Sequence, residues 1–225
     1  MSAQVTLSAR YDVLGLLGSG SSADVYRVRD LASGEERALK VLRDPGDAAA
    51  VLAFRREFLL LLRMRHPALV NVHEFEVLPD GRPAFSAEVV SGDSLGALAP
   101  LPGPEAIAAV RDLALALDHL HRAGLVHCDL KPDNAVRMPE GNVKLLDLGL
   151  AQAPGEGRAG GTPVYMAPEI ARGAPADPRA DLYSLGAVGY FLLAGRPTHG
   201  GASAAEVLAA AQSAPPAPLP AEAPP

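Results

Sequence analysis

One short segment constrains this chain more than any other. Residues 127–134 read His-Cys-Asp-Leu-Lys-Pro-Asp-Asn and place an acid, a lysine and a carboxamide at fixed spacing, as Asp129, Lys131 and Asn134. Such groups can accept a hydroxyl proton, steady a transferred phosphoryl group and offer an amide oxygen to a metal ion. The spacing therefore predicts a loop that carries chemistry rather than a plain connection.

A second carboxylate fits the same interpretation. Asp147 opens an Asp-Leu-Gly turn, which follows a Val-Lys-Leu-Leu strand 13 residues after Asn134. An Asp-x-Gly turn on its own is usually a simple loop. In this order and at this distance from Asn134, it predicts the second ligand of a metal ion.

A glycine- and serine-rich turn lies near the N-terminus. Residues 18–25 read Gly-Ser-Gly-Ser-Ser-Ala-Asp-Val and stand between two predicted strands. Glycines there let backbone N–H groups approach a phosphate chain, and Val25 can pack on an adenine ring. Taken alone, a Gly/Ser hairpin turn is the commoner interpretation of this segment.

Lys40 lies on the strand that follows this turn. A lysine that points inward can neutralise phosphate charge, but a carboxylate must hold it. Glu57 is the candidate, because Phe54, Phe58 and Leu61 predict a buried helix face beside it. The alternative is a solvent-facing glutamate on an arginine-rich helix, which would be favoured if Lys40 were absent.

Lysine usage supports these assignments independently. The chain has 17 arginines but only three lysines, Lys40, Lys131 and Lys144. Two of the three fall on the positions singled out above. A compact ammonium cannot be replaced by the planar fork of arginine at such points.

The order of predicted elements divides the chain into two lobes. Strands are predicted around residues 11–17, 25–29, 36–42, 70–78 and 83–90, and helices over 48–65, 104–123, 181–194 and 204–212. This layout predicts an N-terminal extension over 1–10, a β-rich lobe over 11–90 and a mainly helical lobe over 91–213. A proline- and alanine-rich tail over 214–225 is expected to be extended or disordered.

Composition excludes several classes of function. A formal charge of −6 and a sequence pI near 5.5 argue against a nucleic-acid binder. One cysteine allows no intramolecular disulfide and fits a reducing cytosol. No apolar run reaches the ~18 residues that a membrane span needs. The sequence thus predicts a cytoplasmic protein without a nucleic-acid or membrane partner.

Together these residues resemble the eukaryotic-like, bacterial-type serine/threonine protein kinase family over residues 11 to about 213. The resemblance implies an α+β, bilobal protein-kinase-like fold, with a small β-rich N-lobe carrying one helix and a mainly α-helical C-lobe. It further implies ATP and Mg²⁺ as cofactors and the transfer of the γ-phosphoryl group to a serine or threonine hydroxyl of a protein substrate. Residues 161–169 resemble the substrate-binding loop of protein kinases, and Asp181 resembles the anchor of the catalytic loop.

The resemblance also assigns roles to individual residues. Asp129 is the catalytic base and Lys131 the phosphate contact, while Asn134 and Asp147 are the magnesium ligands. Lys40 contacts the α- and β-phosphates and pairs with Glu57. Ala87 takes the gatekeeper position and residues 88–90 the hinge. The full set of nucleotide-binding positions comprises Leu17, Gly18, Ser19, Gly20, Ser21, Ser22, Ala23, Val25, Ala38, Lys40, Ala87, Glu88, Val90 and Asp147.

The sequence departs from the family pattern in several places. Ala23 replaces a glycine, and Leu148 replaces the phenylalanine of Asp-Phe-Gly. Cys128 replaces an arginine that normally pairs with an activation-loop phosphate, and residues 149–161 contain no Ser, Thr or Tyr. These two absences together predict a kinase that loop phosphorylation does not switch.

The last departure lies at the C-terminus, where the last helices of the family pattern are missing. The expectation is therefore an exposed apolar face on the two preceding helices, which would favour self-association or a partner protein. The residues expected there are Leu182, Leu185, Val188, Leu192, Val207 and Leu208. The alternative function is a nucleotide-binding pseudokinase or regulatory interaction module. A small-molecule phosphotransferase is disfavoured by residues 161–169.

Overall fold

A computed structural model describes residues 7–20, 22–156 and 160–219. The described residues form two compact units, one within residues 1–65 and 70–90 and the other within residues 66–69 and 91–225. In the described ranges, the first unit is a β-sheet with one helix and the second is mainly helical. The predicted α+β class is confirmed.

The first unit is built on a five-stranded antiparallel sheet with the strand order β1-β2-β3-β5-β4. Gly34 and Gly81 lie in the turns between strands and have φ angles of 76° and 87°, which favour glycine. The strands are β1 Tyr11–Ser19, β2 Ala23–Asp30, β3 Glu36–Leu42, β4 Val72–Val77 and β5 Pro83–Ala87.

Helix α1, Ala48–Arg63, packs on this sheet. Asp47 caps it, as predicted, and its side chain accepts hydrogen bonds from the backbone N–H groups of Ala49 and Ala50 at 2.9 and 3.1 Å. Its apolar stripe is buried, and the ring of Phe54 lies 4.9 Å from that of Phe85 on β5. This packing fixes the face of α1 that carries Glu57.

The other face of the sheet has a core of its own. Side chains alternate along a strand, so neighbouring residues of β3 point to opposite faces. Leu39 and Val41 are buried there with Val28, Leu78 and Ala84. Lys40, between Leu39 and Val41, therefore points to the face on which α1 packs.

The second unit centres on two long helices that pack together, α3 and α5. Gly195 ends α5 in the left-handed conformation, with a φ of 66°. The helices are α2 Leu95–Leu98, α3 Gly103–Arg122, α4 Pro168–Ala171, α5 Pro178–Ala194 and α6 Ala204–Ser213. The strands are β6 Asp93–Ser94, β7 Ala135–Arg137 and β8 Val143–Leu145, and short 3-10 helices span Pro132–Asn134 and Pro163–Tyr165.

The expectation of an exposed apolar face on the last two helices is wrong for most of its residues. Leu182 is 56% exposed and Leu208 is half-buried. The other four, Leu185, Val188, Leu192 and Val207, are at most 9% exposed. The reason is that α5 packs against α3, and α6 packs against α4 and the turn Pro163–Tyr165.

Residues 214–219 run along this unit without regular structure. The backbone N–H of Ala217 donates to the carbonyl of Thr198 at 3.2 Å, and Tyr190 and Arg196 donate to the carbonyl of Pro218 at 3.3 and 3.1 Å. These contacts were not predicted from the proline-rich composition. Among the described residues, no helix combines the length and apolar character of a membrane span.

Candidate active site

The glycine-rich turn joins β1 and β2. Gly18 pairs with Val25 across the two strands, and the backbone N–H of Gly20 donates to the carbonyl of Ala23 at 2.9 Å. Leu17 and Gly18 are exposed, whereas Ala23 is buried. Ser19, Gly20 and Ser22 are exposed as well, and Ser21 lies outside the described residues.

An ion pair that sequence reasoning missed closes the base of this turn. Arg43 donates to Asp24 at 2.6 and 3.0 Å, and the hydroxyl of Ser19 also donates to Asp24 at 2.7 Å. The guanidinium lowers the pKa of Asp24 to about 2, so this carboxylate stays charged at physiological pH. The turn therefore has a fixed stem and an exposed tip.

Lys40 and Glu57 meet as predicted. The Nζ atom of Lys40 lies 2.5 Å from Oε1 of Glu57. Glu57 is 4% exposed, so its charge needs a cation close by. The ammonium also lies 5.7 Å from the centre of the Phe85 ring.

The strand register places the adenine-binding candidates on the same face as Lys40. Ala38 lies opposite Ala87, and Lys40 lies opposite Phe85. Ala87 is buried, while Glu88 and Val90 are half-buried. The backbone N–H of Glu88 donates to Asn71 at 2.9 Å, so this hinge group is already used within the unit.

In the second unit, Asp181 on α5 holds the loop that leads to Asp129. Its carboxylate is 1% exposed and accepts hydrogen bonds from the backbone N–H groups of His127 and Cys128 at 2.8 and 2.9 Å. His121 makes a third contact at 2.8 Å. Cys128 has a φ of 68°, a conformation that costs a non-glycine residue about 1–3 kcal/mol and is found at functional sites. The predicted anchor is confirmed.

Both oxygens of the Asp129 side chain have partners. Lys131 Nζ lies 3.0 Å from Oδ2, and the backbone N–H and hydroxyl of Thr162 both donate to Oδ1 at 2.8 Å. The backbone N–H of Asp129 donates to Nδ1 of His127 at 3.2 Å. Each side-chain contact has the carboxylate as the acceptor, which suits a group that receives a hydroxyl hydrogen bond.

Sequence reasoning did not single out Thr162, although a signal for it exists. Gly161, immediately before it, has a φ of 124°, and an added Cβ atom would lie 2.7 Å from the carbonyl oxygen of Cys128. Only glycine allows this close approach. A glycine followed by Thr-Pro, near the end of a loop, therefore marks the place where the segment meets the catalytic loop.

The two candidate magnesium ligands extend from the same end of the β7–β8 hairpin. Ala135 pairs with Leu145, and the backbone N–H of Leu146 donates to the carbonyl of Asn134 at 2.8 Å. Asn134 and Asp147 flank these positions. The side-chain N–H₂ of Asn134 donates to the carbonyl of Asp129 at 3.5 Å, which leaves its oxygen as the acceptor.

This donor set fits Mg²⁺. The ion prefers oxygen ligands and usually keeps only one or two carboxylates, with phosphates and water completing its shell. Asp147 supplies a carboxylate and Asn134 a carboxamide. Within the described ranges there is no cluster of three or more His, Cys, Asp or Glu residues that would suit a different metal.

Comparison with known proteins decides the family. The profile of the family described as Protein kinase domain matches residues 11–214. The chain belongs to this family. The match covers both units, and it confirms the protein-kinase-like fold that the motifs implied.

Bacterial relatives support the same assignment for this kinase domain. The chain is 41% identical over 215 residues to the DNA damage-responsive serine/threonine-protein kinase RqkA of Deinococcus radiodurans, an alignment that covers 90% of this chain and 32% of that protein. It is 35% identical to the serine/threonine-protein kinase PknA of Mycobacterium tuberculosis over 237 residues, an alignment that covers 98% of this chain and 55% of PknA. It is 37% identical to the serine/threonine-protein kinase PknL of the same organism over 214 residues, an alignment that covers 89% of this chain and 53% of PknL. The chain thus spans between a third and somewhat over half the length of these relatives.

Proposed function

We propose that this kinase domain transfers the γ-phosphoryl group of ATP, bound with Mg²⁺, to a serine or threonine hydroxyl of a protein substrate. The observation that carries the proposal is the contact between Thr162 and Asp129. A threonine hydroxyl already donates to Oδ1 of Asp129 at 2.8 Å, while Lys131 lies at the other oxygen. A substrate hydroxyl needs the same contact to be oriented for attack.

Each of the assigned side chains has a defined task in this reaction. Asp129 accepts the hydrogen bond of the attacking hydroxyl, and Lys131 stabilises the negative charge of the transferred group. Lys40, held by Glu57, neutralises the charge of the α- and β-phosphates. Catalysis of this kind depends on positioning and electrostatics.

Asn134 and Asp147 are proposed to hold the Mg²⁺ ion. When bound, the ion would supply positive charge that neutralises the phosphate groups. The hairpin contact between Leu146 and Asn134 supports this assignment, because it keeps the two ligand-bearing segments adjacent.

The nucleotide is proposed to bind through apolar and backbone groups of the first unit. Leu17, Val25, Ala38, Ala87 and Val90 would contact the adenine ring, with Ala87 as a small gatekeeper. The turn at residues 18–23 would approach the phosphates. Because ATP is a cytoplasmic metabolite and the lone cysteine needs no oxidising compartment, we propose that this domain acts in the cytoplasm.

The alternative functions have less support. A pseudokinase usually lacks one of the groups that bind phosphate, metal or hydroxyl, and Lys40, Asp129 and Asp147 are all present. Self-association through an apolar face of the last helices is not proposed further, because most of that face is buried.

Label transfer from ATP with variants of Asp129 tests the proposal. The purified protein with Mg²⁺ and labelled ATP should phosphorylate a generic substrate such as casein, and Asp129→Asn should lower the rate by at least about 100-fold. Asp118→Asn, the same change at an exposed position of α3, serves as the matched control and should leave the rate unchanged. Equal rates in the wild type and Asp129→Asn would contradict the proposal.

A further inference from the structure

A pair of neutral side chains joins the segment after Asp147 to the catalytic loop. Gln152 and Val126 exchange two backbone hydrogen bonds, of 2.9 and 2.7 Å. The side chain of Gln152 then donates from Nε2 to Sγ of Cys128 at 3.4 Å. Gln152 is thus attached to the catalytic loop both through its backbone and through its side chain.

Cys128 is the residue through which this attachment reaches Asp129. Its backbone is in the left-handed conformation, and its N–H is held by Asp181 at 2.9 Å. Asp129 is the next residue along the chain, so a shift of Cys128 shifts the backbone of Asp129. Burial raises the pKa of the Cys128 thiol to about 11. The hydrogen-bonded side chains of Gln152 and Cys128 are therefore both neutral at physiological pH.

Cys128 adjoins a cavity, and the loop that follows Asp147 carries no phosphate acceptor in its sequence. The cavity has a volume of about 150 Å³ and is lined among others by Gln152, Met166, Asp181 and Ser184. Residues 149–161 contain no hydroxyl side chain that could carry a phosphate. Position 128 therefore offers no cation and residues 149–161 offer no phosphate, and the neutral hydrogen bond between Gln152 and Cys128 joins the two segments instead.

We propose that Gln152 is a positioning residue, whose hydrogen bond to Cys128 keeps the segment after Asp147 aligned with the catalytic loop in the absence of any phosphate. The inference rests on the proposed function, since it concerns the alignment of Asp129 for phosphoryl transfer. The kinase domain is therefore active without modification of this segment, and the loss of one neutral amide impairs it.

Substitution of Gln152 tests the proposal directly. Gln152→Leu keeps the size of the side chain and removes its donor. We expect its kcat to fall by about tenfold, as the loss of one hydrogen bond predicts, while the KM for ATP stays within about twofold of the wild type. Gln212→Leu, the same change at an exposed position of α6, is the matched control and should have no effect. A kcat for Gln152→Leu within twofold of the wild type would overturn the proposal.

A compensating pair of substitutions separates positioning from general stability. Cys128→Arg combined with Gln152→Glu replaces the neutral contact by an ion pair, and the adjoining cavity gives the guanidinium room. We expect the double variant to recover most of the kcat that Gln152→Leu loses, whereas Cys128→Arg alone should not. Phosphatase treatment of the wild type should leave kcat unchanged. A double variant as slow as Gln152→Leu, or a wild type inactivated by phosphatase, would overturn the inference.

Amide hydrogen exchange keeps the test independent of the proposed reaction. In Gln152→Leu, exchange should become faster at residues 126–129 and 150–153, and the Gln212→Leu control should match the wild type. If the wild-type protein transfers no phosphate but this change in exchange is observed, the proposed function fails and the attachment role of Gln152 stands. Unchanged exchange at these residues would refute that role.

Discussion

At the scale of single residues, the pair of Lys40 and Glu57 shows why a cation of one shape is required. Glu57 is almost fully buried, and the ammonium reaches it at 2.5 Å beside the ring of Phe85. A guanidinium is broader and planar and directs its donors in a fixed fork. It keeps the charge but does not present the compact ammonium that Lys40 offers to Glu57.

We therefore expect Lys40→Arg to lower phosphotransfer by at least about 100-fold while the fold is retained, a loss of roughly 2.7 kcal/mol in transition-state stabilisation. Steady-state kinetics and a melting curve measure the two effects. Arg27→Lys, the reverse exchange at an exposed position of the neighbouring strand, is the control and should change neither. Turnover like that of the wild type in Lys40→Arg would remove this residue from the mechanism.

Asp129 and Asp147 make a second prediction at this scale, because they are assigned to different partners. Asp147→Asn should weaken the binding of ATP in the presence of Mg²⁺ much more than Asp129→Asn does. Without Mg²⁺ the two variants should bind the nucleotide alike. Calorimetric titration of ATP into both proteins, with and without the ion, is the measurement. Equal losses of affinity with Mg²⁺ present would refute the division of roles.

The Cys128 thiol provides a prediction about pH. Its pKa rises from 9.0 to about 11, first because the thiol is buried and second because Asp181 is close. A raised pKa of an acid means less thiolate at a given pH, by about 100-fold near pH 8. Alkylation by iodoacetamide should therefore be slow in the folded protein and accelerate up to about pH 11. Because the chain has a single cysteine, the protein unfolded in guanidinium is the control. Equal rates at pH 8 in the folded and unfolded protein would contradict the prediction.

At the scale of elements, α1 links local sequence to the site. Its buried stripe fixes the side on which Glu57 meets Lys40, and Asp47 satisfies two N–H groups of its first turn. The loss of such a cap typically costs about 1 kcal/mol. The position of Glu57 therefore depends partly on a residue ten positions earlier in the chain.

We expect Asp47→Ala to lower the free energy of unfolding by about 1 kcal/mol. Chemical denaturation with urea measures it. Asp44→Ala, in the same connection but without a contact to α1, is the control and should cost less. A free energy of unfolding for Asp47→Ala equal to that of the wild type would show that the cap does not stabilise α1.

Local patterns predicted most of these elements. Strand β3 has the predicted bounds, and the cap of α1 is the predicted residue. Helix α5 begins at Pro178 rather than Asp181, because proline is favourable in the first turn of a helix, where no N–H donor is needed. Element boundaries of this kind depend on caps, which the sequence can reveal.

Contacts between distant segments were harder to predict. The approach of Thr162 to Asp129, and of Gln152 to Cys128, joins residues 33 and 24 positions apart. The burial of Leu185, Val188 and Leu192 depends on which helices surround α5. Neither periodicity nor composition contains this information, so the motifs predicted the candidate site residues and the anchor Asp181, whereas the contacts of Thr162 and Gln152 were not predicted.

At the scale of the whole molecule, the groups assigned to phosphoryl transfer are divided between the two units. Lys40 and Glu57 belong to the first, and Asp129, Asn134 and Asp147 belong to the second. No single unit contains the full set. We therefore expect that the whole chain, supplied with ATP and Mg²⁺, carries out the proposed reaction.

The position of the transferred label tests that claim most directly. The purified chain is incubated with Mg²⁺ and a mixture of serine-, threonine- and tyrosine-containing peptides, with ATP labelled at either the γ- or the α-phosphate. We expect that label from the γ-position alone enters the peptides, on serine and threonine hydroxyls, and that chelation of Mg²⁺ abolishes this transfer. Label entering from the α-position, label on tyrosine alone, or no Mg²⁺-dependent transfer to any peptide would contradict the proposed reaction.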